Sequence, residues 1–163
     1  MSIKFSADEI LEMAEEMERN GANFYRQVAS SFTDPNKQAL LNNLAVMEDQ
    51  HEDIFKQMRS ELSASEKEVT TFDPDDEAAM YLRAMADGHV FNVREDPTDK
   101  LTGKETMVDI IKLALGCEKD SIVFYLGLRD MVPTKAGKDK VDAVIREEMG
   151  HISLLNKQMA DLT

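Results

Sequence analysis

The chain has 163 residues, enough for one domain with a sizeable core and too few for two ordinary ones. Its 32 acidic residues against 19 basic ones give a net charge of −13, so the basic footprint that nucleic acid or an anionic membrane would need is missing. A single cysteine excludes an internal disulfide and an intact four-cysteine iron site, while the absence of tryptophan and a count of four prolines favour helices.

The first predicted helix covers about 7–31, opened by Ser6-Ala7-Asp8-Glu9, whose hydroxyl and carboxylate can satisfy orphan amides reciprocally. Asp34-Pro35, an acidic cap followed by proline at the first helical position, opens a second helix over about 35–62. The stretch 63–104 reads as a crossover, with polar segments around a shorter helix at about 75–88 that Asp73-Pro74 would start. Thr102-Gly103-Lys104-Glu105 offers a cap for a third long helix over about 105–131, and Thr134 one for a fourth over about 135–161. The links at 32–34 and 132–134 are short, so each half should be an antiparallel hairpin. The expected fold is an all-α four-helix bundle filling 1–163 as a single domain. No apolar stretch is long enough to span a bilayer, and Met1-Ser2-Ile3-Lys4-Phe5 does not resemble a secretory signal, so a cytoplasmic setting is expected.

One constellation occurs twice, offset by one hundred residues: Glu18, Tyr25 and Glu48-xx-His51, then Glu118, Tyr125 and Glu148-xx-His151. Helical period turns these groups inward. Leu11, Ala14, Glu18, Ala22 and Tyr25 share one face, as do Leu41, Leu44, Glu48, His51 and Phe55. Ile111, Leu115, Glu118, Ile122 and Tyr125 do so on the third helix, and Val141, Ile145, Glu148, Ile152 and Leu155 on the fourth. Unpaired carboxylates buried there would cost roughly several kcal/mol each, a burden that metal ions would remove.

In Glu-x-x-His the two side chains lie about 300° apart around the axis, nearly one above the other. One cation can take the imidazole while the carboxylate bridges toward a second. Glu18, Glu48, Glu118 and Glu148 balance two divalent ions, as a low-dielectric core requires. The metal ligands expected are therefore Glu18, Glu48, His51, Glu118, Glu148 and His151. Oxygen-rich donors without thiolate suit iron or manganese; zinc would bind but would be redox-silent. Either copy alone would more often be an accident on a solvated helix.

These motifs resemble the ferritin-like superfamily and, within it, the rubrerythrin-type di-iron proteins. Glu18-Arg19-Asn20-Gly21-Ala22-Asn23-Phe24-Tyr25 and Glu118-Lys119-Asp120-Ser121-Ile122-Val123-Phe124-Tyr125 match that family's first and third helices, and the two Glu-xx-His motifs its second and fourth. The resemblance implies two iron ions and a non-haem oxidoreductase that reacts with hydrogen peroxide or dioxygen, with peroxide removal in a low-oxygen cell as its use. A ferroxidase for iron storage or delivery is the alternative, and a metal-stabilised interaction module without catalysis a third. Rubrerythrins typically append a four-cysteine rubredoxin-like iron domain, whereas this chain has only Cys117; electrons would come from an external donor such as a rubredoxin. They also tend to carry an extra carboxylate one turn after the third-helix Glu, where this chain has Ser121. A homodimer is expected from the family's shape, the middle helix with Tyr81 and Leu82 capping its own bundle or packing on a second copy.

Tyr25 and Tyr125 lie two turns beyond Glu18 and Glu118 on the same face, where they would either hydrogen-bond ligand carboxylates or serve as core aromatics. Glu15, one turn before Glu18, has Leu115 as its repeat counterpart and reads as a structural Glu; His89 reads as a surface or helix-end residue. Cys117 points about 100° away from Glu118 and reads as a small buried hydrophobe.

Overall fold

Each long helix begins where a side chain can replace a missing amide partner. The computed structural model describes residues 6–67, 80–81 and 96–162. Helix α1 (Ala7–Ser30) starts at Ser6, whose hydroxyl accepts from the Glu9 amide at 3.2 Å while the Glu9 carboxylate accepts from the Ser6 amide at 2.8 Å. Helix α2 (Pro35–Ser60) starts at Asp34, which accepts from the Asn36 amide at 2.8 Å. A four-residue helix, α3 (Ala64–Lys67), and a 3-10 turn at Pro97–Lys100 are the described parts of the crossover, together with helical Met80 and Tyr81.

Helix α4 (Met107–Met131) starts two residues later than the expected 105, and its cap is not Thr102. Glu105 does accept from Thr102 and Gly103, but Gly103 takes a φ of 80°, which right-handed helix cannot continue. The working cap is Thr106, paired reciprocally with Asp109 at 3.3 Å and 2.9 Å. Thr106 is Ser6 plus one hundred, so the true start obeys the repeat better than the expected one did. Helix α5 (Lys135–Leu162) starts after Thr134, whose hydroxyl accepts from the Gly137 amide at 3.0 Å. The expected middle helix at 75–88, its Asp73-Pro74 start and His89 lie outside the described residues, Met80 and Tyr81 apart.

The most extensive packing joins α1 to α2 and α4 to α5. Both pairs are antiparallel: Arg59 at the end of α2 reaches Asp8 at the start of α1 at 3.0 Å, and Arg129 near the end of α4 reaches Asp142 early in α5 at 2.6 Å. The hairpins meet through α1 against α4 and α2 against α5. Among the described residues no helix is long and apolar enough to cross a membrane.

The core forms two apolar clusters. One gathers Ile10, Leu11, Phe55, Phe124, Val141 and Val144; the other gathers Phe24, Leu41, Leu44, Ile110, Ile111 and Leu155. On every long helix the repeat's acidic residue falls between them: Glu18 between Ala14 and Phe24, Glu48 between Ala45 and Phe55, Glu118 between Ala114 and Phe124, Glu148 between Ile145 and Leu155. The inward face of α4 is centred slightly differently from the expected stripe. Ala114 is buried and Leu115 and Ile122 are half-buried, as is Ile152 on α5, because steps of three and four drift around the axis.

Candidate metal centre

The polar layer brings together all six residues that the repeat singled out. Glu18, Glu48, His51, Glu118, Glu148 and His151 each expose 5% or less of their surface. Their donor atoms form two overlapping sets, Glu18–Glu48–His51–Glu148 and Glu48–Glu118–Glu148–His151, each with its atoms within 4.8 Å of one another. Glu48 and Glu148 belong to both sets. Glu148 is divided between them: Oε1 lies 3.0 Å from His51 Nδ1 and Oε2 lies 3.0 Å from His151 Nδ1. His51 Nδ1 also stands 3.5 Å from Glu18 Oε2, and His151 Nδ1 stands 3.3 Å from Glu118 Oε2 and 3.4 Å from Glu48 Oε1. The imidazole rings are stacked, with centroids 5.6 Å apart.

Room for Glu48 is made by Gly21, one turn past Glu18. A Cβ there would stand 3.3 Å from Glu48 Oε2, tighter than most such contacts. The tyrosines cross between hairpins: Tyr25 donates to Glu118 Oε1 and Tyr125 donates to Glu18 Oε1. Each carboxylate is thereby held by one oxygen and keeps the other for the centre.

Electrostatics show what this geometry costs without cations. Burial raises Glu18 well above the usual carboxylate range, with Glu48 and Glu148 adding to it. Burial likewise raises Glu118 to about 8, helped by Glu148. For the histidines burial acts downward but is outweighed by the carboxylates: Glu148 and Glu18 raise His51 to about 11, and Glu118, Glu148 and Glu48 raise His151 to about 12. Burial and the Glu48 charge act upward on Glu148, but the close approach of Glu118, His151 and His51 outweighs them and lowers it. Burial raises both tyrosines well above the usual phenol value, so their hydroxyls stay protonated donors.

Glu18 Oε2, both oxygens of Glu148 and His51 Nδ1 are buried without a well-formed hydrogen bond among the described residues. Such orphaned acceptors facing one another are costly in a dry interior and suit a divalent cation. The donor set, four carboxylates and two imidazoles, fits iron or manganese.

The rubrerythrin family model matches residues 9–95, a stretch that contains Glu18, Glu48 and His51. The chain belongs to the rubrerythrin family. A crystal structure from Thermotoga maritima, described as that of a ferritin-like diiron-carboxylate protein, aligns over 98% of both chains with a TM-score of 0.72 and 21% identity, so this rubrerythrin-family chain has the ferritin-like fold. No curated protein matches the sequence.

The remaining residues take other places. Glu15 is buried beside Arg59, 3.6 Å away, and belongs to neither donor set. Cys117 is half-buried, and burial pushes its thiol up to about 12, which leaves it un-ionised at neutral pH. Two acidic residues escaped the sequence reading. Glu52 is buried and held by Arg19 and Lys56, each at 2.8 Å. Glu147 Oε2 lies 3.0 Å from His51 Nε2. Glu52 has a readable signal, since Lys56 follows it by four residues. Glu147 has none, because its repeat counterpart is Met47.

Proposed function

We propose that this chain, as a single rubrerythrin-family domain, is a non-haem di-iron oxidoreductase that reduces hydrogen peroxide, with dioxygen as a slower oxidant. The observation that carries the reading is the sharing of Glu48 and Glu148 by two donor sets, a geometry suited to two ions close enough to act on one small molecule. Glu48 and Glu148, common to both donor sets, would bridge or chelate, Glu18 and Glu118 would each serve one ion, and His51 and His151, whose Nδ1 atoms face the centre, would each hold one ion. Two ferrous ions held there would supply, on becoming ferric, the two electrons that with two protons reduce hydrogen peroxide to two waters.

The chain's own part is positioning and exclusion. Tyr25 and Tyr125 hold Glu118 and Glu18 in place and keep their protons, so they orient carboxylates without themselves ionising. The apolar clusters on either side exclude water, which strengthens every charge interaction within the layer. Electrons for the next turnover would come from a separate donor, of the rubredoxin type, and a second copy of the chain would complete a dimer.

Stopped-flow spectroscopy tests the reading. Iron-loaded, reduced protein should be oxidised rapidly by hydrogen peroxide and slowly by air. Uptake of many irons per chain would point instead to storage, and absence of any spectral response to either oxidant would remove the catalytic reading.

A further inference from the structure

The six converging groups and the two tyrosines recur in both halves, but the outer nitrogens of the two histidines meet different surroundings. His51 turns Nδ1 to the centre and its other nitrogen, Nε2, to Glu147 Oε2 at 3.0 Å. Glu147 comes from α5, the helix that carries the opposite histidine, and its side chain is nearly half exposed. The same geometry, shifted by one hundred residues, would require an acceptor at position 47 for His151 Nε2. Position 47 is a half-buried methionine, and His151 Nε2 is buried with no hydrogen-bond partner among the described residues.

We propose that Glu147 is a positioning residue for His51 and that the two metal positions therefore differ in affinity. The position served by Glu18 and His51 is the tighter, and the one served by Glu118 and His151 the weaker. This rests on the two-metal reading above and deepens it.

The chemistry is that of an outer hydrogen bond on a histidine ligand. An imidazole that ligates through Nδ1 must carry its proton on Nε2. A carboxylate accepting that proton's hydrogen bond fixes the tautomer, holds the ring plane and makes Nδ1 a stronger donor, an effect worth about 10–100-fold in metal affinity. Glu147 meets these conditions for His51. The thioether of Met47 is at best a weak acceptor, so nothing there selects the ligating tautomer of His151.

The halves also differ at Gly21 and Ser121, and Glu48 Oε1 stands 3.4 Å from His151 Nδ1, but neither feature supplies an acceptor for the Nε2 of His151. The tyrosine contacts are reciprocal, Tyr25 to Glu118 and Tyr125 to Glu18. Gly21 touches Glu48, which both donor sets share.

Titration of the metal-free protein with Zn2+ by calorimetry, and with Co2+ by visible absorption, tests the proposal. The wild type should bind two ions in two steps. Repulsion between the ions can separate two steps even in a symmetric site, so variants decide the cause. E147A, at an exposed position, should weaken the tighter step about 10–100-fold and leave the weaker one nearly unchanged. E147Q, which keeps a neutral acceptor, should recover part of that loss. M47E should strengthen the weaker step while leaving the tighter one in place. Circular dichroism of each metal-free variant should match the wild type. An E147A protein with wild-type constants, or a wild type with two equal constants, overturns the proposal and leaves the two-metal reading standing. An M47E protein whose weaker step is unchanged overturns the assignment of the asymmetry to Met47, with E147A still deciding the role of Glu147. A wild type that binds neither ion overturns both readings.

Discussion

The hydroxyl of Tyr125 on α4 donates to Oε1 of Glu18 on α1, so a side chain of one hairpin fixes a carboxylate of the other. Both groups are almost fully buried, which makes the bond costly to leave half-made. Y125F should destabilise the protein by about 1–3 kcal/mol, read as a lower unfolding midpoint in urea with unchanged slope. Y25F should have a similar effect through Glu118. In the metal-loaded protein both should also weaken ion binding, because the freed carboxylate is no longer aimed.

Gly21 offers a sharper separation of fold from site. Alanine is favoured over glycine within a helix by about 1 kcal/mol, so G21A should leave the metal-free protein as stable as wild type or more so. The added Cβ would stand 3.3 Å from Glu48 Oε2 and push on a carboxylate that both donor sets use. G21A should therefore reduce the rise in melting temperature that metal gives, a split that thermal melts with and without Mn2+ would show.

Metal loading should release protons in a countable way. Burial raises Glu18 and Glu118 so that they resist ionising, and the ionised carboxylates around them, Glu148 foremost, hold the imidazoles of His51 and His151 charged. The ligating forms are carboxylate and neutral imidazole, so the protons this layer shares must leave when two divalent ions enter. Loading should therefore release more than one proton at pH 6, and fewer as pH rises. Calorimetry of Mn2+ binding in buffers of different ionisation enthalpy measures the number.

The same shifts give the metal-free and metal-loaded proteins opposite pH dependence. Glu118, raised from 4.5 to about 8, keeps its proton in the folded state where the unfolded chain has lost it. His51 and His151, raised from 6.5 to about 11 and about 12, do the same at higher pH. Between pH 5 and 9 the folded metal-free protein binds more protons than the unfolded one, so its stability falls as pH rises. Glu148, lowered from 4.5, titrates below this window and does not alter the sign. Metal competes with these protons, so apparent affinity rises with pH. Melting temperatures at fixed Mn2+ should rise between pH 5 and 7.5 while those in chelator fall; a metal-free protein more stable at pH 9 than at pH 5.5 would contradict the assignment.

Much of this architecture was legible because the chain repeats itself. An offset of one hundred residues relates the starts of α1 and α4 and of α2 and α5, and it also announces which six ionisable groups converge. Where the reading slipped, local chemistry competed. Thr102 and Gly103 do donate to the Glu105 carboxylate, yet the positive φ at Gly103 confines that contact to the loop, and Thr106 opens the helix instead. Leu115 and Ile122 fit an idealised stripe that the true rotation of α4 displaces toward Ala114. Glu147 could not be found from repetition, since its importance lies in the mismatch with Met47, and an exposed glutamate on a helix gives no other sign.

The two hydrocarbon layers, one built around Phe55 and Phe124 and the other around Phe24 and Leu41, stopper the bundle along its long axis. Traffic of ions and oxidant to the interior would then have to pass sideways between neighbouring helices. Glu48 is the least enclosed of the six converging groups, and Glu147 reaches solvent while touching His51, so the α2–α5 flank is where such a doorway would open.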